Sequence, residues 1–129
     1  MWRFEHEVDV RFRDCDPLGH VNNAVYLTYL EAARFAWWRG VFGPDGLRQY
    51  GFIIARVEID YRKPALPGDR LVIRMRVEAI GRSSFTVAYE IVDARTRSLI
   101  AEARSVQVAF DYQQGKSVPI SDALRARLE

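Results

Sequence analysis

The chain has 129 residues, 49% of them hydrophobic, and a formal net charge of +2. That length suits one domain, residues 1–129, and the apolar content excludes a disordered chain. Its 19 basic and 17 acidic residues are interspersed, so no clustered basic face points to a nucleic-acid partner.

One cysteine, Cys15, excludes an intrachain disulfide and a multi-cysteine zinc site. The N-terminus, Met1 to Glu7, is charged and lacks the apolar stretch of a signal peptide. No uncharged run approaches the ~20 residues of a membrane span. The expectation is a soluble, cytoplasmic protein with no membrane partner.

Phe4 to Phe12 alternates, with Phe4, His6, Val8, Val10 and Phe12 on one side and charges on the other. Period two with one charged face predicts a half-buried strand. His6 sits in the apolar register and reads as a packed histidine. Arg13 to Val21 breaks the alternation, with Pro17 and Gly19 marking turns. Asn22 or Asn23 then predicts a helix N-cap. From Ala24 to Trp38 apolar residues cover nearly the whole helical circumference, which predicts a helix buried on several sides. Gly40 is read as its end, and Leu47 to Gly51 as a short helical turn. Four more alternating runs follow, from Ile53 to Arg62, Arg70 to Glu78, Phe85 to Ile91 and Leu99 to Phe110. Two tight connections between them predict an antiparallel meander. Ser121 caps a short C-terminal helix. The sum is α+β: about five antiparallel strands packed on one long helix.

The polar stretch Phe12-Arg13-Asp14-Cys15-Asp16-Pro17-Leu18-Gly19-His20-Val21-Asn22-Asn23 is where chemistry is expected. No phosphate-binding loop, dinucleotide fingerprint or nucleophile-elbow motif occurs, and His6 and His20 do not form a helical metal pair. Asp16 precedes a helix N-terminus, whose unpaired N–H groups can polarise a carbonyl. One such donor typically contributes about 3 kcal/mol to barrier lowering. A carboxylate beside a polarised carbonyl can attack it or activate water. Asp16 can equally serve only to cap the turn before Pro17. Cys15 beside His20 suggests a thiol–imidazole pair, but Asp14 and Asp16 disfavour a thiolate. Glu31 lies two turns into the helix, either paired with Arg34 or supporting a site. Arg62, Lys63, Arg74, Arg76 and Arg82 read either as a solvated strand face or as contacts to ligand phosphates.

Arg11 to Asn23, continued through Tyr26-Leu27 and Leu30-Glu31-Ala32-Ala33-Arg34, resembles the 4-hydroxybenzoyl-CoA thioesterase family of hotdog-fold proteins, with its D-x-D-x-x-G motif. Pro64 to Asp69 also looks like that family's loop. The resemblance implies a curled antiparallel sheet wrapped around one central helix, and Asp16 as the catalytic carboxylate. It implies an acyl- or aroyl-CoA substrate cleaved to acid and thiol. It also implies a homodimer or homotetramer, with sites at the subunit interface. No cofactor or metal is called for. On this reading His20, Asn23 and Glu31 assist Asp16. Backbone N–H groups of Asn22 to Ala24 form the oxyanion hole, and Tyr26, Arg62, Lys63 and Arg82 contact substrate. Gly19 to Asn23 also looks like the H-V-N-N stretch of acyl-acyl carrier protein thioesterases, which keeps that carrier open. D-x-D-P-L-x-H is reminiscent of the hydratase branch of the fold, which keeps an enoyl-CoA hydratase open. A non-catalytic acyl-thioester-binding subunit is the third alternative.

Overall fold

The computed structural model describes residues Met1–Glu129. In chain order its elements are β1 (Phe4–Asp9), α1 (Val25–Phe42), α2 (Gly46–Gln49), β2 (Phe52–Tyr61), β3 (Arg70–Ile80), β4 (Ser84–Asp93), β5 (Leu99–Asp111), β6 (Lys116–Ser117) and α3 (Asp122–Leu128). The main strands run in spatial order β1-β3-β4-β5-β2, each antiparallel to its neighbour, and β6 pairs with β5. This is the curled hotdog sheet of an α+β protein.

Period two decides which face is buried. Leu71, Ile73 and Met75 of β3, with Phe85, Val87, Tyr89 and Ile91 of β4, are all buried. They share one core with Leu30, Ala33 and Trp38 of α1. Trp38 anchors the far half of the helix, with ring centroids 4.6 Å from Phe42, 4.8 Å from Phe52 and 5.9 Å from Phe85. The opposite face of the sheet carries cross-strand ion pairs, such as Arg74 with Glu5 and Glu90, and Arg104 with Glu78.

The register brings five strand termini together. Asp9 lies opposite Arg70, Tyr61 opposite Ala101, and Val92 opposite Leu99. The polar loop and the start of α1 stand at that end. The β3–β4 hairpin, where Ile80 pairs with Phe85, closes the other end.

Several sequence expectations change. β1 ends at Asp9, and Phe12 instead opens a 3-10 turn, Phe12–Asp14. Its side chain points to solvent, at 87% exposure. The loop must turn there to bring Asp14 inward. α1 runs through Gly40 and stops at Gly43, whose φ of 80° no longer continues a helix. The N-cap is Ala24 rather than Asn22 or Asn23, although the Asn22 side chain accepts the Ala24 N–H at 2.9 Å. Nor is α1 covered all round: Leu27, Glu31 and Phe35 form an exposed stripe that the sheet does not reach. Ser121 does cap α3, accepting the Leu124 N–H at 3.1 Å.

Candidate active site

The loop before α1 is held by its own backbone. Cys15 and Val21 form an isolated bridge, and the Asp16 N–H donates to His20 O at 3.0 Å. Gly19, with φ of 89°, closes the turn inside that bridge by donating to Asp16 O. Only glycine adopts this backbone without strain. The Val21 N–H donates to Ala65 O, which docks the loop on the segment after β2.

Asp14 is the internal anchor. It is buried, and its carboxylate accepts from the Arg11 N–H at 3.0 Å, the Arg11 guanidinium at 3.2 Å and the Tyr29 hydroxyl at 2.8 Å. Burial alone would raise its pKa. The three donors outweigh burial and hold it below the usual carboxylate range. Burial, together with the carboxylate of Asp14, pushes the Tyr29 hydroxyl up. Asp14 O also accepts the Asn22 N–H at 2.9 Å. Asp14 therefore ties the loop to α1.

Asp16 is half-buried. Its Oδ1 accepts the Leu18 N–H at 2.9 Å, and its Oδ2 has no protein donor. So the turn-capping use foreseen for Asp16 is present, and it occupies one oxygen only. Asp16, His20, Asn23 and Tyr26 line one cleft of about 470 Å³ with Tyr61, Arg62 and Lys63. That volume lies within the range of small-molecule sites.

At the start of α1 the three N–H groups assigned to the oxyanion hole differ. Asn22 N–H is used by Asp14 O, and Ala24 N–H by Asn22 Oδ1. The Asn23 N–H has no protein acceptor. Its own carbonyl accepts the Tyr61 hydroxyl at 2.9 Å. Asn23, a lining residue of the cleft, is thus pinned from β2 with its N–H unused by the protein. The Asn22 and Ala24 N–H groups are thus both taken up within the turn.

Other residues move in or out. Tyr26 is buried, and its hydroxyl accepts the Ala65 N–H at 3.2 Å, so it is a wall of the cleft. Arg62 is committed to Glu102 at 2.9 Å and Asp60 at 3.7 Å. Lys63 meets only the neutral Ser98 hydroxyl, at 3.3 Å, and is the cleft's uncommitted cation. Arg82 stands at the β3–β4 hairpin, a full strand length from Asp16, and so lies outside the cleft. Arg74 and Arg76 do not line it either. Glu31 is exposed, lines a separate groove beside Phe35 and Ile54, and makes no ion pair with Arg34. Arg34 turns inward to donate to the Tyr89 hydroxyl at 3.2 Å. Burial, with Asp14 and Asp16 alongside, pushes the Cys15 thiol up, away from the thiolate form. Tyr61, at the end of a strand, carries no local chemical signal in the sequence that would place it in the cleft.

A family model described as the Thioesterase-like superfamily matches residues 10–128. The chain belongs to that superfamily. The narrower likeness to 4-hydroxybenzoyl-CoA thioesterases is met only at this broader level. Among solved superfamily structures, a thioesterase from Thermus thermophilus complexed with coenzyme A and zinc is 37% identical, with a TM-score of 0.89, covering 100% of this chain and 99% of that one. The long-chain acyl-CoA thioesterase FadM of Escherichia coli is 29% identical over 95% of both chains. A 1,4-dihydroxy-2-naphthoyl-CoA hydrolase of Synechococcus elongatus is 26% identical over 93% of this chain and 90% of its own. In this chain no three His, Cys, Asp or Glu side chains cluster as metal ligands, and no helix is long and apolar enough to cross a membrane.

Proposed function

We propose that this thioester hydrolase cleaves acyl- or aroyl-CoA, with residues 1–129 acting as one catalytic domain. The observation that carries the reading is the pairing, in one cleft, of a half-buried carboxylate with one free oxygen and of Asn23, whose peptide N–H has no protein acceptor. The thioester oxygen sits on the Asn23 N–H, reinforced by the positive end of α1. Asp16 Oδ2 takes a proton from water as water adds to the carbonyl carbon. The tetrahedral intermediate then collapses, the C–S bond breaks, and the leaving thiolate takes the proton from Asp16 to become CoA thiol, which restores the carboxylate. In the nucleophilic variant Asp16 adds first, and water then hydrolyses the mixed anhydride. Single turnover in ¹⁸O-water separates the two: general-base addition puts the label in the product acid, whereas water attack on the Asp16 carbonyl of the anhydride puts it in Asp16. His20 and the Asn23 side chain orient substrate or water at the mouth. Lys63 meets a phosphate of the CoA arm.

The protein acts as a homodimer or homotetramer in the cytoplasm. β2 is an edge strand with exposed Ile53 and Ile54, adjoining the exposed Leu27–Phe35 stripe of α1. An edge and an apolar face of this kind call for cover. A mass from light scattering at one subunit would refute the assembly.

The deciding experiment is a thiol-release screen with aromatic, short, medium and long acyl-CoAs and an enoyl-CoA control. We expect turnover in the native protein and a kcat at least about 100-fold lower in Asp16→Asn at unchanged Tm. Thiol release by Asp16→Asn at the native rate removes Asp16 from the chemistry. Loss of the enoyl absorbance without thiol would make the protein a hydratase.

A further inference from the structure

A second cavity, of about 360 Å³, opens on the other flank of α1, between its C-terminal half and strands β1 and β3. It shares no lining residue with the Asp16 cleft. Its floor is apolar, built from Trp37, Met75, Val77 and Val87.

Two observations set this cavity apart from a packing defect. The first is charge. Arg3, Arg76 and Arg127 line it and no acidic side chain does. Arginines elsewhere on the sheet are matched to carboxylates, but none of these three is in an ion pair. Arg3 and Arg127 are held by main-chain oxygens and Arg76 by an aromatic ring instead. Arg3 donates to Glu129 O at 3.0 Å, Arg127 donates to Val41 O and lies 4.9 Å over the Phe42 ring, and Arg76 lies 4.8 Å over the Trp2 ring. The Arg3 and Arg127 guanidinium groups are placed with no side-chain carboxylate paired to them, whereas Arg76 also faces a groove holding Glu58, Glu90 and Glu102 and helps hold the Glu78 carboxyl low. The second observation is Gly40. It sits inside α1, where glycine is a poor helix former, and it lines this cavity. A Cβ built on it would meet nothing within 4 Å. The missing side chain leaves room for a chain passing along the helix.

We propose that this cavity is a binding site for a single-chain carboxylate amphiphile, its hydrocarbon body along Gly40 and Trp37 and its head between Arg3 and Arg127. Charge complementarity selects the anion, and the apolar floor selects the chain. The site is independent of the thioesterase reading.

The probe is decanoate, titrated against intrinsic tryptophan fluorescence of the full chain, with decanol as the uncharged control. The native protein should bind decanoate at least fivefold more tightly than decanol. Gly40→Leu, which fills the cavity, should weaken decanoate at least tenfold, and Arg3→Gln with Arg127→Gln should erase the preference over decanol. Thiol release from acyl-CoA, assayed on the same samples, should stay native in both variants, which separates this site from binding of an acid in the Asp16 cleft. Equal decanoate affinity in the native protein and Gly40→Leu, or no preference for decanoate over decanol, overturns the proposal. A native protein without thioesterase turnover refutes the catalytic reading and leaves this titration standing.

Discussion

Tyr29→Phe removes one oxygen from the bond that joins the Asp14–Asn22 loop to α1. The hydroxyl donates to Asp14 Oδ2 at 2.8 Å in a buried setting. A hydrogen bond to a charged group contributes about 1.5–3 kcal/mol. After the substitution Asp14 still accepts from the Arg11 N–H and guanidinium, at 3.0 and 3.2 Å. The carboxylate is therefore not orphaned, and the loss should lie near the lower end, about 1.5–2 kcal/mol. For a chain of this size about 4 °C accompanies each kcal/mol, which gives a fall in Tm of roughly 6–8 °C. Asp14→Ala should cost more, about 3–5 kcal/mol, because it strands the Arg11 N–H and the Tyr29 hydroxyl without an acceptor. The cycle of Tyr29→Phe, Asp14→Ala and the double variant should return a coupling of about 1–2 kcal/mol. Thermal unfolding followed by circular dichroism measures all four proteins. Activity gives a second readout, since Asp14 O also receives the Asn22 N–H beside the free Asn23 N–H. A several-fold drop in kcat at near-native KM is expected for Tyr29→Phe. A change in Tm below about 1 °C, or additive single substitutions, would refute the role of this bond.

Further outcomes follow from the same geometry. Lys63→Ala should raise KM for a CoA ester about two- to fivefold at low salt, the equivalent of an exposed charge contact, and the effect should vanish near 1 M salt. Acid should destabilise the protein in a defined window. Asp14 is held low by donors that outweigh its burial, Glu78 by the Arg104 guanidinium, and Asp93 by the N–H groups of Thr96 and Arg95. Groups with lowered folded pKa contribute stability above their unfolded values, about 3.9 for Asp and 4.3 for Glu, and lose it as pH falls through the folded values. Tm should therefore hold between about pH 7 and 5, then drop below about pH 4, with a shallower drop in Asp14→Asn. Trp38→Ala empties a fully buried site among Phe42, Phe52 and Phe85 and should cost about 3–5 kcal/mol, read from the denaturant midpoint.

Much of this molecule is legible before any coordinate. Alternation at period two marks β3, β4 and β5, because a strand with one wet face must alternate, and the apolar run after Asn23 marks α1. The turn residues Pro17 and Gly19 and the clustering of Asp14, Asp16 and His20 point to the loop, since these residues are costly to place anywhere but a turn or a site. Those signals are local, set by neighbours within a few positions. The cleft is not local. Tyr61 reaches Asn23 across 38 residues, the Ala65 N–H reaches Tyr26 across 39, and Asp14 meets Tyr29 across 15. Only sheet order and register bring these groups within hydrogen-bond distance. The same register sends Arg82 to the far end of the sheet and leaves Glu31 on an uncovered flank, although both looked eligible as residue types. Residue chemistry and period determined that a carboxylate precedes the N-terminus of a helix packed on an antiparallel sheet, and the family resemblance added the curl. Tertiary structure decided which N–H is left free, because a donor's availability depends on every acceptor the fold brings near it.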